Sequence, residues 1–167
     1  MKSFITPREI IQKDNELMKQ ACDLATENIR NGNGPFGCII TDFDGNIIST
    51  GVNRVTLDND PTLHAEIVAI KNACKIKNTY KLSDCIIYSS CEPCPMCLSA
   101  IYWSHIKTVF YGNTRKDAKE INFDDSFIYD EINKSIEKRS IHMININNKY
   151  AKKSFTEWQK YEKKIEY

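Results

Sequence analysis

The feature that most constrains this chain is a pair of short motifs about thirty residues apart. The first is His64-Ala65-Glu66, and the second is Pro93-Cys94-Pro95-Met96-Cys97. Imidazole nitrogen and cysteine thiolate are ligands that zinc accepts, so His64, Cys94 and Cys97 predict a zinc site. Three protein ligands leave the fourth tetrahedral position open, which is typical of catalytic rather than structural zinc.

The two motifs also constrain the fold, because each stands at the predicted start of a helix. Pro95 favours the first position of a helix, which places Cys94 and Cys97 at or just inside its N-terminus. The free N–H groups and partial positive charge of a helix N-terminus favour thiolate over thiol. We predict that His64 lies in the first turn of a second helix, so that two helix starts face one metal ion.

Glu66 has a different predicted role, because residues two apart on a helix do not face each other. His64 and Glu66 are therefore not expected to be equal ligands of one ion. Two thiolates and a neutral imidazole leave zinc formally neutral, which predicts weaker acidification of water than at an all-histidine site. A base beside the open position compensates for this weakness, and Glu66 is the predicted proton shuttle.

Cys91 leaves one alternative open at this point. It lies three residues before Cys94, so a closed site could be made from four side chains: Cys91, Cys94, Cys97 and His64. A closed Cys3His zinc site is structural. In that case Glu66 has no catalytic role, and the chain is a non-catalytic scaffold.

The length and charge of the chain narrow the class of protein. Its 167 residues predict a single domain over 1–167. A formal net charge of +1 makes nucleic acid an improbable main ligand. The sequence contains no apolar run long enough to cross a membrane, and its first residues are not expected to form a signal peptide. The seven cysteines are an odd number. These features predict a cytoplasmic protein with reduced thiols and no membrane partner.

Hydrophobic periodicity and turn residues predict a hairpin followed by alternating helices and strands. Strands are predicted at residues 36–41, 47–52, 85–88, 108–111 and 141–146. Helices are predicted up to about residue 31, after a Thr62 cap, from near Pro95, in parts of 117–134 and over 149–167. The pattern indicates an α/β fold with helices on both faces of a five-stranded mixed sheet that begins with an antiparallel hairpin.

The His-x-Glu and Pro-Cys-x-x-Cys motifs resemble those of the cytidine-deaminase-like superfamily of zinc-dependent enzymes. Within that superfamily, the chain is similar to bacterial guanine deaminases over about residues 18–167. The segments that carry the closer resemblance are 34–37, Asn53, 59–62, 90–97, 101–103, 123–129 and the terminal Tyr167. Residues 1–12 are expected to form an N-terminal extension.

The resemblance implies a three-layer α/β/α sandwich that deaminates guanine to xanthine and ammonia by zinc-dependent hydrolysis. It implies that His64, Cys94 and Cys97 hold zinc, and that Glu66 and Asp125 are catalytic. It also implies that the substrate, a small purine, contacts Phe36, Asn53 and Tyr167.

Two further substrate contacts are predicted from residue chemistry. Trp103 offers a second aromatic face, and the backbone N–H of Ala65 offers a donor at a helix start. Ordinary core positions remain open for Phe36 and Trp103, and a helix-capping role remains open for Asp125.

The family resemblance further implies a homodimer in which the C-terminal helix is exchanged and closes the partner's site. Apolar side chains in 149–167 permit this, because they would be exposed if the helix packed on nothing. These are Phe155, Trp158 and Tyr161. Folding of the helix back on its own subunit remains an open alternative.

Other substrates also remain open. Guanosine or cytosine would need a pocket of different size, which a sequence does not give. A tRNA adenosine deaminase shares the zinc motifs, and lysines between residues 149 and 164 give that reading some support. Glutamates alternate with those lysines, however, as is usual on a solvated helix face.

Overall fold

The computed structural model of the protein describes residues 10–146 and 149–166. The strands are β1 (Gly37–Asp42), β2 (Ile47–Val52), β3 (Cys85–Cys91) and β4 (Thr108–Asn113). The helices are α1 (Gln12–Arg30), α2 (Val55–Asp58), α3 (Ala65–Lys77), α4 (Pro95–Trp103), α5 (Arg115–Glu120), α6 (Ser126–Asn133) and α7 (Lys149–Lys160). None of the helices in these ranges combines the length and the apolar character that crossing a membrane requires.

The strands form one mixed sheet in the order β2–β1–β3–β4. β1 pairs antiparallel with β2 and β3, and β3 pairs parallel with β4. Asp42 closes the β1–β2 hairpin, because its Oδ1 accepts hydrogen bonds from the backbone N–H groups of Asp44 and Asn46. The predicted hairpin at the start of the sheet is therefore confirmed.

The sheet has four strands within the described residues, and the prediction of a fifth strand at 141–146 is wrong. Those residues form no regular structure, and Ile144 is 84% exposed. Alternating apolar and polar residues fit a strand, but a strand also needs a neighbouring edge for its backbone N–H and C=O groups. The alternation at 141–146 carries no information about such an edge.

Helices cover both faces of the sheet, in agreement with the expected three-layer α/β/α arrangement. Successive residues of a strand point to opposite faces. On β1, Cys38 and Ile40 pack in one buried cluster with residues of α3 and α4, while Ile39 packs in the other with residues of α1. The α1 cluster also contains Leu17, Ala21, Ile86 and Tyr88.

The first turn of α3 lies unusually close to β2 because Gly51 has no side chain. A Cβ atom at this position would lie 2.1 Å from the carbonyl oxygen of Ala65 and 2.5 Å from the nitrogen of Ala69. Any other residue at position 51 must therefore push the start of α3 away from the sheet. That start follows His64 and contains Glu66, so a glycine on a strand fixes the place of two predicted site residues.

A buried polar contact fixes α1 to the sheet. The Tyr88 hydroxyl of β3 donates to Oδ1 of Asp14 at 2.5 Å, and Oδ2 of Asp14 accepts from the backbone N–H of Ile11 at 2.9 Å. Asp14 is only 4% exposed, so these bonds offset the cost of burying its side chain. The extension predicted for residues 1–12 falls largely on residues 1–9, outside the described part of the chain.

The chain divides into two compact units, one ending at Ser126 and the other beginning at Phe127. The single-domain organisation expected from the length stays a prediction. In the second unit, Oε2 of Glu131 accepts hydrogen bonds from the backbone N–H and hydroxyl of Ser140 at 2.7 and 2.9 Å. The helix predicted over 149–167 begins at Lys149 but ends at Lys160.

Candidate active site

The two zinc motifs stand at the starts of α3 and α4. His64 is the N-cap of α3 and Cys94 is the N-cap of α4, and both have extended backbone conformations. Pro95 is the first residue of α4, which places Cys97 in its first turn. The predicted cap at Thr62 is wrong, because α3 begins at Ala65 and its N-cap is His64, which therefore lies just before the first turn and not in it. The Thr62 hydroxyl instead donates to Oδ1 of Asp60 at 2.7 Å.

The ligand atoms of His64, Cys94 and Cys97 fit a zinc ion. Nδ1 of His64 lies 3.6 Å from Sγ of Cys94 and 3.5 Å from Sγ of Cys97, and all three atoms lie within 4.8 Å of one another. Zinc–nitrogen and zinc–sulfur bonds of about 2.0 and 2.3 Å, at a tetrahedral angle, separate nitrogen from sulfur by about 3.5 Å. The observed spacing matches that geometry without rearrangement.

The contact between the two cysteine sulfurs shifts their pKa values in opposite directions. The hydrogen bond from Cys97, helped by His64, lowers the pKa of Cys94 to about 4. The same contact with Cys94, together with burial, raises the pKa of Cys97. Zinc binds cysteine as the thiolate, so a ligand that still holds its proton loses it when the metal binds.

Cys91 lies outside this group of ligands. Its Sγ donates to the carbonyl oxygen of Thr114 at 3.7 Å, and burial raises the pKa of its thiol to about 11. Among the described residues, the group able to hold a metal contains His64, Cys94 and Cys97 but not Cys91. The geometry therefore favours the open three-ligand site over the closed Cys3His alternative.

Glu66 lies beside the metal position and is almost completely buried. Its Oε1 accepts a hydrogen bond from the Ser89 hydroxyl at 3.0 Å, and its Oε2 accepts from Sγ of Cys97 at 3.4 Å. Burial raises the pKa of the Glu66 carboxyl. A carboxyl of raised pKa next to a metal site is suited to accept a proton and return it.

Ser89 was not identified from the sequence, although one signal pointed to it. It stands on β3, where every residue from Cys85 to Cys91 is buried. A buried hydroxyl needs a hydrogen-bond partner. The sequence does not tell which residue is that partner, because Glu66 lies 23 residues away.

Phe36 and Asn53 lie next to each other where β1 begins and β2 ends. The backbone N–H of Asn53 donates to the carbonyl of Phe36 at 3.1 Å. Oδ1 of Asn53 accepts from the backbone N–H of Val55 at 3.3 Å, so the Nδ2 group is the donor side of this amide. The Phe36 ring is partly buried and meets the Phe123 ring edge to face, with centroids 4.9 Å apart.

Asp125 lies between α5 and α6 and is partly buried. Burial, followed by repulsion from the Cys94 thiolate, raises the pKa of its carboxyl. Its neighbour Asp124 accepts a hydrogen bond from the backbone N–H of Ser126 at 2.9 Å and pairs with Lys119 at 2.9 Å. The bond to the N–H of Ser126, the first residue of α6, is thus made by Asp124, and the charge of Cys94 acts on Asp125.

Arg115 and Glu92 connect the segment before α4 to the start of α5. Nε of Arg115 donates to Oε1 of Glu92 at 2.9 Å, and the backbone N–H of Arg115 donates to Oε2 at 3.1 Å. This pair was not identified from the sequence, because its members are 23 residues apart. It positions α5, which leads to Asp125.

The remaining predicted substrate contacts have less support. Trp103 is the last residue of α4 and is 64% exposed, so it is not a core residue. The nine residues of α4 place it about 13 Å along the helix axis from Cys94. Ala65 is fully buried at the start of α3, and Tyr167 lies outside the described residues. Substrate contact by these three residues stays a prediction.

Comparison with known proteins agrees with this geometry. The cytidine and deoxycytidylate deaminase zinc-binding region matches residues 11–113. Guanine deaminase from Bacillus subtilis is 50% identical over 151 residues, which cover 90% of this chain and 96% of that protein. The X-ray structure of guanine deaminase from Bacillus subtilis aligns with a TM-score of 0.89 at 49% identity, over 92% of this chain and 98% of that one.

A tRNA-specific adenosine deaminase from Haemophilus influenzae is a more distant relative. It is 38% identical over 99 residues, which cover 59% of this chain and 57% of that protein. The family match spans more than half of this chain and includes His64, Glu66, Cys94 and Cys97. The chain therefore belongs to the zinc-dependent cytidine and deoxycytidylate deaminase family.

Proposed function

We propose that this protein hydrolyses guanine to xanthine and ammonia, as a step of purine metabolism. The observation that carries the reaction type is the position of the buried Glu66 carboxyl, whose Oε2 lies 3.4 Å from Sγ of Cys97, beside three residues that could hold zinc. The choice of guanine is supported by the 50% identity to a guanine deaminase over nearly the whole of both chains.

The reaction needs a water that attacks carbon 2 of guanine and a route for its proton. Zinc held by His64, Cys94 and Cys97 would act as a Lewis acid and lower the pKa of that water. Glu66 takes a proton from the water and gives it to the amino nitrogen on carbon 2, while the second proton of the water ends on ring nitrogen N3. The carbon–nitrogen bond then breaks, ammonia leaves, and the oxygen of the water remains in xanthine.

Three residues are proposed to hold the base during this step. Guanine presents amino and imino N–H donors, and the Asp125 carboxylate is an acceptor for them. The other edge of guanine presents hydrogen-bond acceptors, and the Nδ2 group of Asn53 is the proposed donor to them. Phe36 supplies an apolar face beside the ring.

The proposed assembly is a homodimer in which the C-terminal helix is exchanged and the partner's Tyr167 completes the site. Two side chains of α7 support this proposal, because Phe155 is 78% exposed and Trp158 is 45% exposed. An exposed apolar face of this kind marks an interaction surface. A second copy of the chain is the proposed partner, because exchange of identical elements is a low-cost route to a dimer.

The proposed location is the cytoplasm. None of the seven cysteines is in a disulfide. A cytoplasmic environment keeps thiols reduced, and two of these thiols are proposed zinc ligands.

A comparison of substrates tests the proposed function. Purified zinc-loaded protein is assayed for ammonia release with guanine, guanosine, adenine, cytosine and cytidine, with Glu66→Gln as the inactive control. We expect ammonia from guanine at the highest kcat/KM. If zinc-loaded protein releases none from guanine, the substrate assignment is wrong, and release from another base would identify the substrate.

The assay is extended to tRNA because of the adenosine deaminases in the same family. The charge on α7 is mixed, and Lys160 lies 3.8 Å from Glu157. Mixed charge of this kind does not favour binding to a phosphate backbone. We therefore expect no salt-dependent binding of tRNA, whereas tight binding would favour a nucleic-acid substrate.

A further inference from the structure

Asn28 is a buried polar residue near the C-terminal end of α1, and it is only 4% exposed. Its side-chain Nδ2 donates to two backbone carbonyls, that of Gly34 at 2.9 Å and that of Asn53 at 2.8 Å. Both distances are those of well-formed hydrogen bonds. One amide group thus connects a helix to two separate segments of the chain.

These two carbonyls belong to the segments that carry the proposed substrate contacts Phe36 and Asn53. The carbonyl of Gly34 also accepts from the backbone N–H of Phe36 at 2.9 Å, and the carbonyl of Phe36 accepts from the backbone N–H of Asn53 at 3.1 Å. Asn28, Gly34, Phe36 and Asn53 therefore form a closed ring of hydrogen bonds, called here the Asn28 ring.

Gly34 leaves little room between the side chains of Asn53 and Phe36. A Cβ atom at Gly34 would lie 3.3 Å from Cγ of Asn53 and 3.3 Å from Cδ2 of Phe36. Both proposed substrate-contacting side chains thus lie against the same glycine. A displacement of Gly34 would be transmitted to both of them.

The backbone of Asn28 fixes the same loop from the other side. Its carbonyl oxygen accepts from the backbone N–H groups of Asn31 and Asn33 at 3.1 and 3.3 Å. The loop that leaves α1 is therefore held by both the main chain and the side chain of one residue. The position of Asn28 on the rigid helix is transferred directly to Gly34.

We propose that Asn28 is a positioning residue that sets the places of Phe36 and Asn53 and thereby the affinity for the base. The inference rests on the proposed function, in which these two residues hold guanine. Their contacts exist both in the enzyme–substrate complex and in the transition state. Loss of such uniform binding raises KM and leaves kcat nearly unchanged.

Two variants of Asn28 and one matched control test the proposal. Asn28→Asp keeps the shape of the side chain but places carboxylate oxygens against two carbonyl oxygens. Asn28→Ser is milder, because its single hydroxyl donor serves one carbonyl at most. Asp14→Asn is the control, since Asp14 lies on the same helix and is also 4% exposed, but bonds to Tyr88 and Ile11 instead.

For Asn28→Asp we expect an increase in KM for guanine of about 10-fold or more, with kcat within about 3-fold, in line with the loss of hydrogen bonds used only for positioning. Zinc content is expected to stay unchanged. Asn28→Ser is expected to give a smaller increase, and it replaces Asn28→Asp if that variant does not fold. Asp14→Asn is expected to lower thermal stability without a change in KM. Unchanged KM in the Asn28 variants, or an equal increase in the control, would overturn the proposal.

Amide hydrogen exchange separates a failure of this inference from a failure of the proposed function. The N–H groups of Phe36 and Asn53 are donors within the Asn28 ring, so their exchange should accelerate in the Asn28 variants and not in Asp14→Asn. This measurement does not depend on the substrate. If exchange at these two amides is unchanged, Asn28 does not position them, whichever base the protein deaminates.

Discussion

The two units of the chain use apolar residues in opposite ways. In the unit that ends at Ser126, apolar side chains are buried in two clusters on the two faces of the sheet. In the unit that begins at Phe127, none of the residues described in 127–146 and 149–166 is buried, although α7 carries Phe155, Trp158 and Tyr161. An apolar face that its own unit does not bury indicates a surface for a partner.

The two units also differ in the pKa values of their carboxyl groups. Glu66 of the first unit is buried, and burial raises its pKa. Glu131 of the second unit has its pKa lowered to about 2, mainly by its hydrogen bond from Lys134. The first carboxyl is therefore suited to exchange a proton, whereas the second is a charged partner that holds two segments together.

The largest effect is expected from loss of a metal ligand in the first unit. Cys97→Ser removes a fully buried thiolate ligand, so we expect loss of bound zinc and a fall in kcat of more than about 1,000-fold. Cys91→Ala is the matched control, and it should keep zinc and most of the activity. Zinc content by elemental analysis decides, and loss of zinc in Cys91→Ala would restore the closed-site alternative.

The next largest effect is expected from Glu66→Gln. The amide keeps the size of the side chain but cannot accept and return a proton, so kcat should fall by about 100- to 10,000-fold. Zinc should remain bound, because Glu66 is not among the three ligand residues. A variant that retains wild-type kcat would remove Glu66 from the mechanism.

A change on the exposed apolar face of α7 tests whether the second unit is needed for the proposed dimer and for activity. If the proposed dimer forms, Phe155→Asp combined with Trp158→Asp should convert it to a monomer and lower kcat/KM by about 10-fold or more, because charges are excluded from an interface core. Thr156→Asp on the same helix is the control and should leave the dimer intact. Light scattering measures the mass, and a fully active monomer would refute the proposed assembly.

A smaller effect is expected from Ser89→Ala, which removes the hydrogen bond to Oε1 of Glu66. We expect kcat to fall by about 10-fold with zinc retained, the effect of about 1.4 kcal/mol lost at a charged group. Ser89→Thr should restore activity. Ser90→Ala is the matched control, because the Ser90 hydroxyl accepts from the backbone N–H of Gly37 and does not contact Glu66. An equal loss in both variants would mean that Ser89 is only structural.

The smallest effect concerns pH in the second unit. The pKa of Glu131 is lowered from 4.5 to about 2 in the folded protein, so its contribution to stability is present above pH 4.5 and is lost as the pH falls toward 2. Exchange of the Ser140 amide, which donates to Glu131, should accelerate over that range. Glu131→Gln should abolish this pH dependence. A Glu131 carboxyl that titrates near 4.5 by NMR would contradict the assignment.

The parts of the structure that depend on neighbouring residues were predictable from the sequence. The β1–β2 hairpin follows from the turn at Asp42, and the start of α4 follows from Pro95. The start of α3 was predicted too early, because the helix begins at Ala65 with His64 as its N-cap. Contacts between distant residues were not predictable. The bond of Ser89 to Glu66 spans 23 residues, and that of Asn28 to Asn53 spans 25. The false strand at 141–146 has the same cause, because pairing depends on an edge elsewhere in the fold.

The close packing at Gly51 has a consequence for efforts to alter the substrate of this protein. A side-chain change at position 36, 53 or 125 alters proposed contacts with the base but adds no atom against the backbone of α3. A side chain at position 51 does, since the smallest added atom would meet the backbone of α3 at 2.1 Å. A mutational scan should therefore find that a glycine with no chemical group of its own is among the least replaceable residues, because it determines where the metal ligand and the proton shuttle stand.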